Sequence, residues 1–168
     1  MIRIFVGYDE EEAVAYHVLT HSILRHASRP VSIAPVARSQ LRHVFRRERG
    51  ELESTDFSIS RFLVPHLCDY QGWALFMDCD MLMTGDVAEL WDLRDEACAL
   101  MCVQHDYQPS SEVKFLGRPQ TRYPRKNWSS VMLFNNARCR ALTPERVETA
   151  SGLHLHRLEW LELRGLRF

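Results

Sequence analysis

The sequence lacks most of the features that would assign a protein of 168 residues to a class at once. It has no run of 18 apolar residues, so no membrane-spanning helix is predicted. Its formal net charge is −1, with basic and acidic residues interspersed, which argues against a nucleic-acid partner. Neither glycine-rich phosphate loop, GxGxxG or GxxxxGK(S/T), is present. The five cysteines form no CxxC pair and lie mostly in or beside apolar runs, so buried reduced thiols and a cytoplasmic location are expected.

What the sequence does contain is the pattern of a single α/β domain, predicted over 1–168. Apolar residues make up 46% and charged residues 26%, as in globular proteins. Ile2–Val6 predicts a strand rather than a signal peptide, Asp9–Ser28 has helical spacing, and Val31–Val36 predicts a second strand. This strand–helix–strand unit favours a mostly parallel central sheet flanked by helices. Further strands are predicted at Trp73–Met77, Ala97–Gln104 and Ser129–Asn135, and further helices at Ser58–Tyr70 and Val87–Leu93.

The most informative stretch is Trp73–Met83, WALFMDCDMLM, in which two carboxylates lie between apolar runs. A strand buried on both faces cannot hold two acids in its middle without a large desolvation cost. Asp78 and Asp80 are therefore expected where the strand ends, at the rim of the sheet where open α/β folds bind ligands. Their spacing lets both face one divalent cation, Mg²⁺ or Mn²⁺, which prefers oxygen ligands. The alternative, that the two acids only cap a loop, stays open on the pattern alone.

Polar residues adjoin the ends of other predicted strands, and several of these groups are expected to converge on one crevice. A metal held by two acids beside a strand–helix–strand unit suggests a phosphorylated ligand, because the metal can bridge phosphate oxygens. Basic side chains would then also hold the phosphates, and Arg61 is the candidate, with a surface arginine as the alternative. The polar groups are Gly7-Tyr8-Asp9, His105-Asp106 and Trp128-Ser129-Ser130.

Four segments carry a family resemblance: FVGYD at the start, SISRFLVPHL before the acids, LFMDCDMLM, and WSSVMLFN later in the chain. In these segments, and to about Trp160, the chain resembles GT-A glycosyltransferases of the glycogenin and lipopolysaccharide-galactosyltransferase type, in a bacterial-looking variant. LFMDCDMLM corresponds to the DxD motif of that family. The resemblance implies a Rossmann-like nucleotide-sugar-binding fold, a donor that is usually UDP-linked, and Mn²⁺ or Mg²⁺. It further implies transfer to a saccharide or lipid-saccharide acceptor with retention of the anomeric configuration.

The resemblance also implies roles for individual residues. Gly7-Tyr8-Asp9 would contact the nucleoside, and Arg61 would contact the donor diphosphate. Asp78 and Asp80 would be the catalytic, metal-binding pair, with Asp78 also touching the ribose or sugar, and Cys79 would lie at the donor between them. The residues on the acceptor or sugar side would be His105, Asp106, Trp128, Ser129 and Ser130.

The chain departs from the family pattern at two places. Trp128-Ser129-Ser130 stands where the family carries Asn-Ser-Gly, which removes an asparagine that contacts the sugar. The third metal ligand of the family is a histidine in an HxxGxxK-like segment, and neither His154 nor His156 lies in such a segment. We therefore expect a shortened form without the C-terminal acceptor-side portion, with weak or absent activity.

Two other functions stay open. Phosphatases of the haloacid-dehalogenase type also carry an apolar strand followed by DxD. Their motif lies near the start of the chain and has a threonine two residues after the second acid, where this chain has Leu82. The second alternative is a non-catalytic nucleotide-sugar-binding remnant, which the unmatched third metal ligand motivates.

Overall fold

A computed structural model of the protein describes residues 1–51, 53–106 and 123–161. The strands in these ranges are β1 (Ile2–Tyr8), β2 (Val31–Ala37), β3 (Trp73–Met77), β4 (Leu100–Cys102) and β5 (Val131–Asn135). They form one sheet in the order β2–β1–β3–β5–β4. Each strand coincides at least in part with a strand predicted from an apolar run. The bounds of β3 are those expected from the sequence.

The direction of β5 determines which residues lie beside the end of β3. β1 pairs in parallel with both β2 and β3, whereas β5 pairs antiparallel with β3 and with β4. Four of the five described strands therefore share one direction, as the prediction of a mostly parallel sheet requires. Because β5 is reversed, its first residue, Val131, lies opposite Met77 at the end of β3. The Asp78 amide extends this pairing by donating to the Ser130 carbonyl at 2.9 Å.

Short helices flank the sheet. The described α-helices are α1 (Ala13–His26), α2 (Val64–Leu67), α3 (Val87–Asp92), α4 (Pro144–Thr149) and α5 (Gly152–His156). A 3₁₀ turn, Glu10–Glu12, precedes α1, and Asp9 caps it by accepting from the Glu11 amide at 3.0 Å. α1 packs against β1 and buries Leu19 and Ile23 on its inner face.

The helix predicted over Ser58–Tyr70 is shorter than expected and is interrupted near Pro65, the residue whose presence predicts a kink or the start of a second helix. The segment contains a 3₁₀ turn, Ser60–Leu63, followed by α2. Pro65 lies in the first turn of α2, the one part of a helix where its missing N–H costs no hydrogen bond. Asp69 and Tyr70 then take positive φ angles of 50° and 54°, which end the helical path.

The strand predicted over Ala97–Gln104 is shorter than expected. The side chain of Asp95 accepts from the Ala97 amide at 2.8 Å, and its carbonyl accepts from the Cys98 amide at 2.9 Å. This turn uses the backbone donors that an earlier strand start would need. Regular pairing therefore begins only at Leu100.

The prediction of buried, reduced cysteines is confirmed. All five cysteines are free thiols, and four of them are fully buried. Every residue of β3 is also buried, as a strand covered on both faces requires. Across the described residues, the helices are too short or too polar for any of them to span a bilayer.

Candidate functional site

A cavity of about 590 Å³ lies at the edge of the sheet where β3 ends and β5 begins. Asp78 and Ser130 reach it from the two strand ends. Residues between 47 and 59 form a second wall, which we call the 47–59 wall, and α5 with the preceding Ser151 forms a third. The predicted convergence of polar groups on one crevice therefore holds for β3 and β5.

A buried ion pair joins Arg61 to Asp78 inside this cavity. Arg61 Nη1 lies 2.7 Å from Asp78 Oδ1, and the two side chains are 7% and 17% exposed. The same Nη1 donates to the Ser129 carbonyl at 2.9 Å, and Nε donates to the Ser58 carbonyl at 3.1 Å. The guanidinium also lies over the ring of Phe76 at 5.2 Å. Arg61 is therefore a fixed, preorganised cation and not a surface arginine.

Burial dominates the electrostatics of Asp78. It raises the pKa of Asp78 to about 6, although the Arg61 guanidinium acts in the opposite direction, and the Asp80 carboxylate raises it further. Asp78 Oδ1 receives no directed hydrogen bond from any described residue, despite its close approach to Arg61. Its partner in this structure is the Arg61 guanidinium, and a hydrogen bond from the Ser130 side chain also acts on Asp78. A ligand or ion can add the directed contact that Oδ1 lacks.

Asp80 and Cys79, which follow Asp78, have different surroundings. Asp80 is exposed and does not line the cavity. Cys79 is 0% exposed, and its thiol donates to Glu12 Oε2 at 3.0 Å on the side of α1. Burial, together with the Glu12 carboxylate, raises the pKa of the Cys79 thiol far above its usual range. Cys79 is thus a neutral thiol that does not line the cavity, and its predicted contact with the sugar donor stays a prediction.

The predicted nucleoside residues at the end of β1 lie outside the cavity lining. Tyr8 packs edge-on against Tyr16 with ring centroids 5.3 Å apart. Asp9 is 3% exposed, and its Oδ2 accepts from the Asp56 amide at 2.9 Å. Arg49 lies 3.5 Å from the same oxygen. In this structure Asp9 anchors the segment that leads into the 47–59 wall.

Arginine side chains hold the 47–59 wall in place. Arg49 pairs with Asp56 at 3.0 Å and donates to the Ser54 carbonyl at 2.8 Å. Arg47 donates to the Ala150 carbonyl at 2.5 Å, which ties the wall to the chain just before α5. These polar contacts act together with Phe57 and Ile59, which are buried in the core and anchor the same segment.

Several cavity residues carry no local sequence signal. His156 Nδ1 lies 2.8 Å from Ser129 Oγ, and its ring packs against Phe62 with centroids 5.3 Å apart. Lys126 is 4% exposed and lies over the ring of Tyr123 at 4.7 Å. The unusual burial of a lysine points to function, but burial becomes visible only in the folded chain. Ser129, which was predicted, is the link between these residues and the strand end.

The remaining predicted residues lie on one side of this cavity without lining it. His105 and Asp106 are exposed beyond β4. The indole N–H of Trp128 donates to the His105 carbonyl at 3.1 Å, so these two segments are joined. Ser129 and Ser130 line the cavity, whereas Trp128, His105 and Asp106 do not.

The donor set at the strand end can be tested against a divalent cation. No three His, Cys, Asp or Glu side chains of the described residues are grouped so as to hold a metal ion. Asp78 and Asp80 supply two carboxylates, and Asp78 Oδ1 is buried without a hydrogen bond from a described residue. This set fits Mg²⁺ or Mn²⁺ if phosphate oxygens and water supply the remaining ligands, which is how Mg²⁺ is usually bound.

Sequence comparisons identify a plant relative. No family model matches the chain. "Protein CDI" of Arabidopsis thaliana is 56% identical over 164 residues, which cover 95% of this chain and 63% of the relative. The chain thus spans less than two thirds of the length of the curated protein that it matches. Because this relative is a plant protein, the expectation of a bacterial variant has no support.

Solved structures show the fold. The bifunctional glycosyltransferase WbbM matches with a TM-score of 0.62 at 14% identity, over 95% of this chain and 37% of WbbM. Mouse xyloside xylosyltransferase 1 matches with a TM-score of 0.50 at 14% identity, over 98% of this chain and 78% of that protein. GlyE of Streptococcus pneumoniae TIGR4 also reaches 0.50, at 16% identity over 80% of this chain and 34% of GlyE. The chain therefore has the α/β, Rossmann-like GT-A fold of glycosyltransferases.

Proposed function

We propose that the protein is a metal-dependent glycosyltransferase, which moves a sugar from a nucleotide-diphosphate donor, in the first instance a UDP-sugar, to a saccharide or lipid-saccharide acceptor. The observation that carries this proposal is the buried Arg61–Asp78 pair in a cavity at the ligand-binding edge of a GT-A-like sheet. The five free thiols support a reducing compartment, and the proposal places the protein in the cytoplasm. The haloacid-dehalogenase alternative gains no support from the fold.

The charges of the cavity support a metal requirement. Leaving His156 aside, three cationic side chains and three carboxylates line it: Arg47, Arg61, Lys126, Glu51, Glu53 and Asp78. Among the described residues these charges offset one another, so together they offer no net positive charge to a dianionic diphosphate. A divalent cation bound at the acids supplies the missing charge. We therefore expect the donor and the metal to bind together.

Each residue near the strand end has a role in this proposal. Asp78 and Asp80 would hold Mg²⁺ or Mn²⁺, and the bound metal would supply Lewis-acid stabilisation of the leaving diphosphate. Arg61, fixed by two carbonyls, donates to the diphosphate and stabilises the negative charge that grows on it as the glycosidic bond breaks. The anomeric carbon gains oxocarbenium character, and the acceptor hydroxyl attacks it with the configuration retained. Ser129 and Ser130 lie beside these groups and orient hydroxyls of the sugar or the acceptor.

A ligand screen tests the proposal. UDP-, GDP- and CMP-sugars are measured by thermal shift and calorimetry, each with Mn²⁺ and with EDTA. We expect stabilisation only where metal and nucleotide are present together, followed by donor hydrolysis or transfer. Binding without turnover supports the non-catalytic alternative, for which the absence of a three-ligand metal group among the described residues is the motivating observation. No metal-dependent binding of any nucleotide sugar contradicts both.

A further inference from the structure

A second carboxylate with an oxygen that lacks a directed hydrogen bond from a described residue lies in the same cavity. Glu53 is 12% exposed, and its Oε1 lies 3.3 Å from Arg47 Nη2. That oxygen is buried and receives no directed hydrogen bond from a described residue. Among the described side chains, the buried carboxylate oxygens in this condition belong to Glu53 and Asp78, and both residues line the cavity.

The Glu53–Arg47 pair is held in place independently of any ligand. The Glu53 amide donates to the Gly50 carbonyl at 2.9 Å, and its carbonyl accepts from Arg49 at 3.3 Å. Arg47 is fixed by its bond to the Ala150 carbonyl at 2.5 Å. The acceptor oxygen and the neighbouring guanidinium therefore form a preorganised pair on the 47–59 wall.

The chemistry of this pair selects its ligand. Asp78 has a second carboxylate, Asp80, close enough to raise its pKa, which favours a cation at that place. The Glu53–Arg47 pair carries one charge of each sign, so it favours neither a free cation nor a phosphate. A neutral group that both donates and accepts hydrogen bonds satisfies both partners, and two adjacent hydroxyls of a sugar do so. In the proposed function the diphosphate lies at Arg61 and Asp78, and a pyranose attached to it, or the acceptor that it meets, brings such hydroxyls to this wall. The ribose of the nucleotide also carries two adjacent hydroxyls, and binding of free UDP separates the ribose from a pyranose.

We infer that Glu53 and Arg47 form a subsite for the vicinal hydroxyls of a pyranose ring and that Glu53 determines which sugar is accepted. The inference rests on the proposed function. The pyranose is the sugar of the donor or the sugar of the acceptor, since both present adjacent hydroxyls. Both sources can be distinguished by experiment.

The test compares ligands with and without a pyranose. Dissociation constants are measured by calorimetry in Mn²⁺ for UDP and GDP, and for UDP-glucose, UDP-galactose and GDP-mannose. Glu53→Gln is compared with wild type and with Glu48→Gln, a matched change at a fully exposed glutamate that does not line the cavity. In parallel, methyl glucoside and methyl galactoside are titrated into protein saturated with UDP and Mn²⁺.

For a donor pyranose, Glu53→Gln weakens the preferred nucleotide sugar about tenfold, as loss of a hydrogen bond to a charged group does, and leaves the free diphosphate unchanged. For an acceptor pyranose, the glycoside affinity falls instead. Arg47→Gln gives the same selective loss, which keeps the test informative if Glu53→Gln does not fold.

Equal weakening of UDP and UDP-sugar, or unchanged affinities for every sugar ligand in both variants, overturns the subsite while the proposed function stands. Failure of the wild-type chain to bind any nucleotide with metal overturns the proposed function and the subsite with it.

Discussion

Arg61 Nη1 lies 2.7 Å from Asp78 Oδ1, so the segment before β3 and the residue after it are joined by one buried ion pair. The guanidinium is held by the Ser58 and Ser129 carbonyls, which fixes it whether or not a ligand is present. The pair thus contributes to the fold and to the site at the same time.

Removing the cation from this pair is expected to destabilise the protein strongly. Arg61→Met leaves the Asp78 carboxylate buried without its partner, and breaking a buried pair in this way costs about 3–5 kcal/mol. Urea unfolding at pH 7.5 measures the loss, with Arg42→Met, at an exposed arginine, as the control. The double variant Arg61→Met/Asp78→Asn should regain part of it. Equal stability of Arg61→Met and wild type would show that the pair is not buried in solution.

Asp78 gives the metal-free protein a characteristic pH dependence. Its folded-state pKa of about 6 lies above the ordinary aspartate value of about 3.9. The stability linked to its proton is therefore fully present below pH of about 3.9 and is lost as the pH rises through about 6. Between pH 5 and 7.5 in EDTA, this group should lower the free energy of unfolding by about 1 kcal/mol. Asp78→Asn should lack that component, and an unchanged slope in the variant would contradict the raised pKa.

Asp80 should matter for binding and not for folding. Its side chain is exposed, so Asp80→Asn is expected to leave the melting temperature of the ligand-free protein within experimental error. Metal-dependent UDP binding should be abolished, because one of the two proposed carboxylate ligands is gone. Asp92→Asn, an exposed aspartate on α3 that does not line the cavity, is the matched control. Unchanged UDP affinity of Asp80→Asn in Mn²⁺ would place the site elsewhere.

Gly7 has a structural reason to be glycine. A Cβ at this position would lie 2.3 Å from the ring of Phe57, whereas a Cβ at Gly85 would meet nothing within 4 Å. Gly7→Ala should therefore destabilise the protein by about 1–3 kcal/mol, and Gly85→Ala should change stability by less than about 0.5 kcal/mol. Chemical denaturation of the two variants checks this pair. A similar effect at both positions would show that Phe57 moves aside at no cost.

The sequence predicts those parts of the structure that depend on local pattern. The apolar run Trp73–Met77 followed by acids places β3 and Asp78 correctly, because burial on both faces excludes carboxylates from the strand. The pattern alone left Arg61 open between a ligand-binding and a surface position, and its burial against Asp78 is visible only in the folded chain. Pro65 signals a problem in the predicted helix, although the 3₁₀ turn before α2 could not be read from the pattern.

What the sequence could not predict depends on contacts between distant segments. The reversed direction of β5 brings Ser129 to the end of β3, and no local period encodes strand direction. Glu53 and His156 join the cavity through contacts with Arg47 and Ser129, across gaps of six and 27 residues. The role of Asp9 as an anchor for Asp56 likewise required the folded chain.

The position of β5 between β3 and β4 also bears on where the chain can change in length. Among the described residues, β4 pairs with β5 through Leu100–Cys102 and Met132–Phe134, whereas Asp78 is tied to the β3 side of β5 by its amide bond to the Ser130 carbonyl. The position of Asp78 therefore depends on the pairing of β5 with β3 and not on its pairing with β4. A change in chain length between β4 and β5 costs little free energy, because loop-closure entropy grows slowly with length. Insertions or deletions there should therefore leave Asp78 in place.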